Sequence, residues 1–208
     1  MQKHKTRCTN VVYILNYFIG LPDIATDLDR GLSITKQILD YAKINNLRPG
    51  DSRVDLVPMI EQYLRRYKQD FDRNGIRYSV NGVAEAVIRA DKVHLNSIFN
   101  NLVLNAMDVF EGYDVERQKE IRVLIEEKNG EKGHYVVINV SDNGPGISGK
   151  YMSEIFEPFF STKQKSGSGL GLFIAKKLIQ LYKGQISAES KEGDGTTFTE
   201  ILPEHHNE

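Results

Sequence analysis

One cysteine, Cys8, stands in 208 residues. A lone thiol cannot build a disulfide framework within the chain, and it fits a reducing compartment. Charge of one sign is missing too. Lys and Arg number 27 against 28 Asp and Glu, a formal net charge of -1, without the basic stripe that extended nucleic-acid binding needs. The best apolar run, VVYILNYFIGL at 11–21, is too short for a membrane helix. The N-terminus has no apolar core followed by a small-residue cleavage site, so no secretory leader is expected. There is no internal repeat and no low-complexity tract. The expectation is a cytoplasmic chain of one or two domains, with any membrane-bound part of a larger protein lying upstream.

What is present divides in two. From Asp23 to Asn46, Leu28, Leu32, Thr35, Leu39 and Ala42 recur at alternating four and three spacings, a heptad seam, with Ile34, Ile38 and Tyr41 as a second apolar line beside it. Two stripes need more than one partner, so residues 1–47 read as a helical hairpin that dimerises into a four-helix bundle. Its first helix spans roughly 4–19, and GLPD at 20–23 breaks it. NNLRPGDSR follows, giving a linker at 48–53. From residue 54 to 208 the rhythm changes. A strand near Val54 leads to a helix opening near Pro58, whose inner face is Ile60, Tyr63, Leu64, Tyr67 and Phe71. IRYSV and AVIRA read as strands, Asp91 to Gly112 as a long helix, and IRVLIEE with HYVVINVS as an antiparallel hairpin around KNGEKG. A helix from about Leu170 to Tyr182, stopped by Gly184, precedes two last strands, QISAES and TTFTEIL. Strands in adjacent hairpins with helices gathered together give an α+β fold, a sandwich of two layers.

Three stretches carry chemistry. DNGPG, Asp142 to Gly146, follows a strand directly, so the Asp142 carboxylate can point into a cleft. Gly144 and Gly146 can take positive φ and let a flat ligand approach the backbone, although an ordinary Asn-Gly turn has the same letters. GSGLG, Gly167 to Gly171, runs into an amphipathic helix with Leu170, Ile174, Leu178 and Leu181 inside, and a helix N-terminus offers N–H donors to phosphate. A flexible linker before a helix would read alike. In NNLVLNAMD, Asn101 and Asn105 are four apart on one helix face, where asparagine is a poor interior residue. Their amide oxygens could ligate Mg²⁺ without adding charge, or they could be solvated.

The order of asparagine helix, DNGPG, EPFFSTK, GSGLG and a late GDGTTF resembles the catalytic and ATP-binding domain of sensor histidine kinases, within the superfamily of gyrase, Hsp90 and MutL ATPases. The likeness runs from about Val54 to Pro203. It implies a Bergerat-type α/β sandwich behind a dimerisation hairpin, with ATP and Mg²⁺ as cofactors. It implies that Asn105 ligates Mg²⁺ beside Asn101 and Asp108, and that Asp142 accepts a hydrogen bond from the adenine amine. Guanine presents a carbonyl oxygen there, so two acceptors would oppose each other. The resemblance also puts Gly144, Gly146 and Ile147 at the base and Gly167, Ser168, Gly169, Leu170, Gly171 and Leu172 on the phosphate side. Residues from about Phe156 to Ser168 become a lid anchored by Phe156, Phe159 and Phe160. Lys163 or Lys165 either reaches the phosphates or stays solvated. Thr197, with Thr196, belongs to the closing strand.

The resemblance further implies phosphoryl transfer from ATP to a histidine, then to the aspartate of a response-regulator receiver domain. It implies a homodimer, with a cytoplasmic chain that is the cytosolic part of a membrane-associated sensor. His4, in HKTR, has the family's His-x-x-Arg spacing and is the acceptor candidate; His94 reads as a helix-surface residue. Lys5 stands where the family has an acid that would orient and deprotonate the imidazole. A second reading therefore stays open, an ATP-binding dimeric scaffold or regulator with a degenerate acceptor. A third is a serine kinase of the anti-sigma type.

Overall fold

The computed structural model describes residues 46–110, 113, 117–130, 133–162 and 168–204, together with Gly31, Thr35, Ile38, Leu39 and Ala42. Those five isolated positions carry helical backbone, and the Thr35 hydroxyl donates to the Gly31 carbonyl at 2.7 Å, four residues back. The remainder of the expected hairpin, with its first helix and His4, lies outside the described residues.

Four α-helices, a 3₁₀ turn at Gly149–Tyr151 and seven strands build the rest of the described residues. Strand β1 (Arg53–Asp55) feeds helix α1 (Leu56–Arg66), which is followed by α2 (Lys68–Arg73), β2 (Ile76–Gly82) and β3 (Val87–Arg89). Helix α3 (Lys92–Asp108), the hairpin β4 (Lys119–Gly130) and β5 (Gly133–Asp142), α4 (Gly171–Leu181), β6 (Gln185–Lys191) and β7 (Gly195–Pro203) complete the order. β1 and β3 form a small antiparallel pair. The main sheet runs β2-β4-β5-β7-β6, antiparallel except where β2 lies parallel to β4.

Pleat alternation sorts the sheet into two faces. Ile121, Val123 and Ile125 of β4, Ile138 and Val140 of β5, and Phe198 and Leu202 of β7 are buried in the core that also holds the helices' apolar faces. Burying one such side chain fully is worth about 1.5–3 kcal/mol, and this is what holds the layers together. Thr199 and Asn139, Cα partners in the register, bond through their side chains at 2.8 Å, and Ser141 and Thr197 do so at 2.9 Å.

The helices follow their caps. Asp55 accepts the Val57 N–H at 3.1 Å to open α1, and Asp91 accepts the Val93 N–H at 2.7 Å to open α3. Pro58 falls inside the first turn of α1, where its missing N–H costs nothing. The single helix expected from Pro58 to Asn74 is two, separated at Tyr67, whose backbone (φ -91°, ψ 5°) leaves the helical range. The Tyr63 and Tyr67 hydroxyls both donate to Asn100 Oδ1, at 2.8 and 2.9 Å, which ties α1 to α3 and turns Asn100 away from the face of Asn101. Burial raises the Tyr63 hydroxyl above its ordinary range. Helix α3 stops at Asp108 rather than Gly112, and the linker expected at 48–53 ends one residue early, because Arg53 already pairs with Arg89.

Of the three buried polar residues, Asp142, Thr196 and Glu200, the last breaks the apolar rule most fully. Glu200 is fully buried in the cross-strand row Ile125–Ile138–Glu200–Ile186, and neither carboxylate oxygen has a hydrogen-bond partner. Desolvation alone raises its pKa from 4.5 to about 8. The folded chain thus holds a proton that the unfolded chain releases, so this group's contribution is full below pH 4.5 and is lost as pH rises toward 8. Glu200→Met should flatten this loss and stabilise the protein at the alkaline end, by about 1–3 kcal/mol. Urea unfolding of both proteins at the two ends of that window measures it; equal pH slopes would refute the buried, unpaired carboxyl.

Candidate nucleotide site

The site begins at the end of β5. Register places Asp142 opposite Ile121 on β4 and Thr196 on β7, so its side chain falls on the buried face, 8% exposed. Asp142 Oδ1 accepts the Gly144 N–H at 2.9 Å, and a second backbone bond comes from Thr196. Desolvation outweighs these donors and lifts the carboxyl from 3.8 to about 6.

The loop after Asp142 is fastened on both sides. Asn143 accepts the Glu120 N–H and donates to the Gln118 carbonyl, both at 2.8 Å, which pins it to the start of β4. Arg117 bridges the Asn143 and Gly193 carbonyls at 3.0 and 2.8 Å. The Ser190 hydroxyl accepts the Ile147 N–H at 2.7 Å and lies 2.9 Å from the Thr196 hydroxyl. Gly146 has φ +72°, and a Cβ there would stand 2.2 Å from the Lys191 carbonyl oxygen. Only glycine lets the loop lie against the β6–β7 turn.

These elements enclose a cavity of about 810 Å³, within the range of small-ligand sites. Asn101, Asn105 and Asp108 of α3 form one wall, while Asp142, Gly146 and Ile147 form another. Ser168, Gly169, Gly171 and Leu172 close it at the start of α4, with Phe160 on the lid side. A Cβ on Gly171 would come within 3.1 Å of Asn101 Oδ1, so the glycine sets the approach of α4 to α3. Among the described residues no side chain caps α4, so its first N–H groups remain available to an anion. The described part of the lining carries carboxylates at Asp108, Asp142 and Glu192 and no lysine or arginine.

Several expected site residues are placed elsewhere. Leu170 is fully buried in the core, and Phe156 packs edge-on against Phe198 with ring centroids 6.3 Å apart. Gly144 lies behind Asp142 against Val109, at a spot where a Cβ would meet Val109 Cγ2 at 2.7 Å. Thr197 points to the opposite face of β7, bonded to Ser141; Thr196, in phase with Phe198, lines the cavity instead. Phe159 is 64% exposed at φ +66°, and its N–H donates to the Gly169 carbonyl at 3.0 Å. Lys163, Lys165 and Gly167 lie outside the described residues. The sequence reading missed Leu104, Val109, Tyr113, Tyr151 and Glu192 in the lining. The spacing from Asn101 and Asn105 could have found Leu104 and Val109; nothing local marks the others.

Comparison with known proteins agrees with this geometry. Residues 90–206 match the family described as Histidine kinase-, DNA gyrase B-, and HSP90-like ATPase. The sensor histidine kinase ZraS of Escherichia coli (strain K12) is 32% identical over 182 residues, 86% of this chain and 36% of ZraS. A crystal structure of full-length ShkA in complex with AMPPNP superimposes with a TM-score of 0.70 at 25% identity, covering 84% of this chain and 36% of that one. The histidine kinase ThkA, crystallised with the response regulator protein TrrA, shares the fold with a TM-score of 0.71 at 22% identity, covering 98% of this chain and 62% of ThkA. The chain therefore spans about a third of the length of ZraS.

The burial of Asp142 has a direct consequence. Followed by the carboxyl ¹³C shift in the ligand-free protein, Asp142 should titrate with a midpoint of about 6. Its folded pKa is raised, so its contribution to stability falls as pH rises from 3.8 toward 6. A midpoint at the ordinary aspartate value would mean that the carboxylate is open to water.

Proposed function

The chain belongs to the family of histidine kinase-, DNA gyrase B- and HSP90-like ATPases and carries the ATP-binding catalytic domain of sensor histidine kinases; on that premise we propose that it is the core of a two-component kinase. It moves the γ-phosphoryl group of ATP to a histidine, then to the aspartate of a response-regulator receiver domain. The observation that carries this reading is the buried Asp142 carboxylate facing a cavity of about 810 Å³, opposite the uncapped start of α4. One end recognises a base and the other a phosphate chain.

Asp142 and the backbone around Gly146 would hold adenine, with the ionised carboxylate accepting from its exocyclic amine. Gly169, Gly171 and Leu172 would face the phosphates with backbone N–H groups. The described lining carries only negative side-chain charge, and a polyphosphate there needs a cation to offset it. Asn105, with Asn101 and Asp108 beside it on α3, fits Mg²⁺ for that reason: an amide oxygen adds a ligand without adding charge. When bound, the ion would neutralise charge developing on the transferred phosphoryl group and on the leaving ADP. This chain's residues orient the nucleotide, keep its base end dry and hold the γ-phosphate toward the acceptor. In the transfer the unprotonated imidazole nitrogen attacks, a P–N bond forms, the bond to the bridging oxygen breaks and ADP departs, and the proton on the ring's other nitrogen is then released.

His4 is the proposed acceptor, in a homodimer joined through the hairpin. The ThkA complex with TrrA, a chain of the same fold, supports a receiver domain as the partner. No helix among the described residues is long and apolar enough to cross a membrane, in keeping with a domain on the cytoplasmic side of a larger sensor. Lys5, in place of the orienting acid, favours the second reading, an ATP-binding scaffold with a degenerate acceptor.

Incubation with Mg²⁺ and γ-labelled ATP separates the two. The expected result is acid-labile label on the chain, lost in His4→Ala. Label retained in the variant moves the acceptor to another residue. ATP binding with no label at all supports the scaffold, and acid-stable label points to a serine kinase.

A further inference from the structure

Tyr182 follows α4 directly, its ring 3% exposed and tilted against the His94 imidazole at 5.9 Å between centroids. Its hydroxyl meets groups from three parts of the chain. It accepts the Asp91 N–H at 3.0 Å and the Gly50 N–H at 3.2 Å, and it lies 2.6 Å from His94 Nδ1. A phenol has one proton and two lone pairs. Both lone pairs are occupied by backbone donors, so the proton must point to His94. Nδ1 is then the acceptor, and the ring proton of the neutral imidazole sits on Nε2. An imidazolium would turn Nδ1 into a third donor toward an oxygen with nothing left to accept with, and at least one of the three bonds would break.

The junction sits where it can matter for the cavity. Asp91 caps α3, the helix of Asn101 and Asn105, and Tyr182 closes α4, the helix that begins with Gly171. Gly50 belongs to the segment that leads into the domain. A Cβ on Gly50 would stand 2.7 Å from both Cβ and N of Asp91, so glycine alone lets this backbone lie flat on the α3 cap. Three independent features thus converge on one hydroxyl: the close approach of Gly50, the paired N–H donors and the imidazole acceptor.

We propose that Tyr182 is a positioning residue for the nucleotide cavity, and that His94 gates it. While His94 is neutral, the hydroxyl locks the lead-in segment and the start of α3 to the end of α4. When His94 gains a proton the lock opens, the lead-in segment is released, and the α3–α4 approach at Gly171 and Asn101 loses its far support. The inference rests on the reading of the cavity as an ATP site.

Other charges on the elements that meet here are accounted for. Asp91 and Lys92 lie on the same helix as His94, and the Asp91 carboxylate is engaged by the Val93 N–H. Arg48 and Asp51 flank Gly50, with Asp51 paired to Arg89 at 3.1 Å, and Lys183 follows Tyr182. Among the described residues the imidazole's hydrogen bond is with Tyr182.

The test uses amide-exchange protection at Gly50 and Asp91, corrected for intrinsic rates, in the whole chain at about pH 8 and about pH 5.5. Calorimetric affinity for Mg²⁺–AMPPNP is measured on the same samples. Tyr182→Phe keeps the ring and removes the hydroxyl. His94→Asn keeps an acceptor oxygen two bonds from Cβ, as Nδ1 is, but cannot titrate. Wild-type protection should fall about tenfold on acidification, the equivalent of one lost hydrogen bond. His94→Asn should stay protected at both pH values, and Tyr182→Phe should be unprotected at both and bind AMPPNP about three- to tenfold more weakly at the higher pH.

A wild-type fall that persists unchanged in His94→Asn overturns the gate. Wild-type protection or wild-type AMPPNP affinity in Tyr182→Phe overturns the positioning role. If the wild-type chain binds no AMPPNP at all, the ATP reading fails, while the protection factors still decide the junction on their own.

Discussion

Everything at this site depends on a carboxylate held out of water at a strand end. Asp142 is buried because β5 runs between β4 and β7 and delivers it, in phase with Ile138 and Val140, to the helix-covered face. Two backbone donors, from Gly144 and Thr196, offset only part of the desolvation cost, and the carboxyl stays poised at about 6. A poised, dry acceptor suits the recognition of an uncharged amine, because it gains more from one donor than a solvated carboxylate would. The fastening of the loop follows from the same need. Asn143, Arg117 and Ser190 tie it to three neighbouring segments, so the backbone beside Asp142 is fixed before any ligand arrives.

The opposite end of the cavity works by different means. The described lining of the whole cavity carries three carboxylates and no cation, and at this end lie the first N–H groups of a helix for which the described residues supply no side-chain cap. Backbone donors can orient phosphate oxygens, but they cannot balance a polyphosphate against Asp108 and Glu192. The Mg²⁺ proposed on the amide-bearing helix α3 would resolve that conflict. The close approach of Gly171 to Asn101 holds the two halves of this arrangement together.

Much of this could be read from the letters, since glycines, asparagine spacing and turn residues are local signals. The asparagine face of α3, the DNGPG loop and the glycine run before α4 all fall on the cavity, apart from Asn143, Gly144 and Leu170 and the undescribed Gly167. What was lost was phase and distance. Thr196 and Thr197 are adjacent and chemically identical, and the pleat alone decides between them; counting back from Phe198 and Leu202 would have chosen Thr196. The same count would have placed Glu200 inside. Phe156 and Leu170 sit within motif stretches yet serve the core, because a loop that shapes a cavity needs apolar anchors behind it. The Tyr182 junction joins residues 91 and 132 positions apart in sequence, and no local pattern announces a contact of that range.

The most direct measurement is calorimetric titration of the chain with ATP and with GTP in the presence of Mg²⁺, for the wild type and for Asp142→Asn. If Asp142 reads the base, ATP binds and GTP binds at least about a hundredfold more weakly, as expected when an acceptor faces an acceptor in a dry site. The Asn variant should lose most of that discrimination, since its amide can present a donor to the guanine carbonyl. Equal affinity of the wild type for the two nucleotides would contradict the role of Asp142, however well the cavity fits a triphosphate.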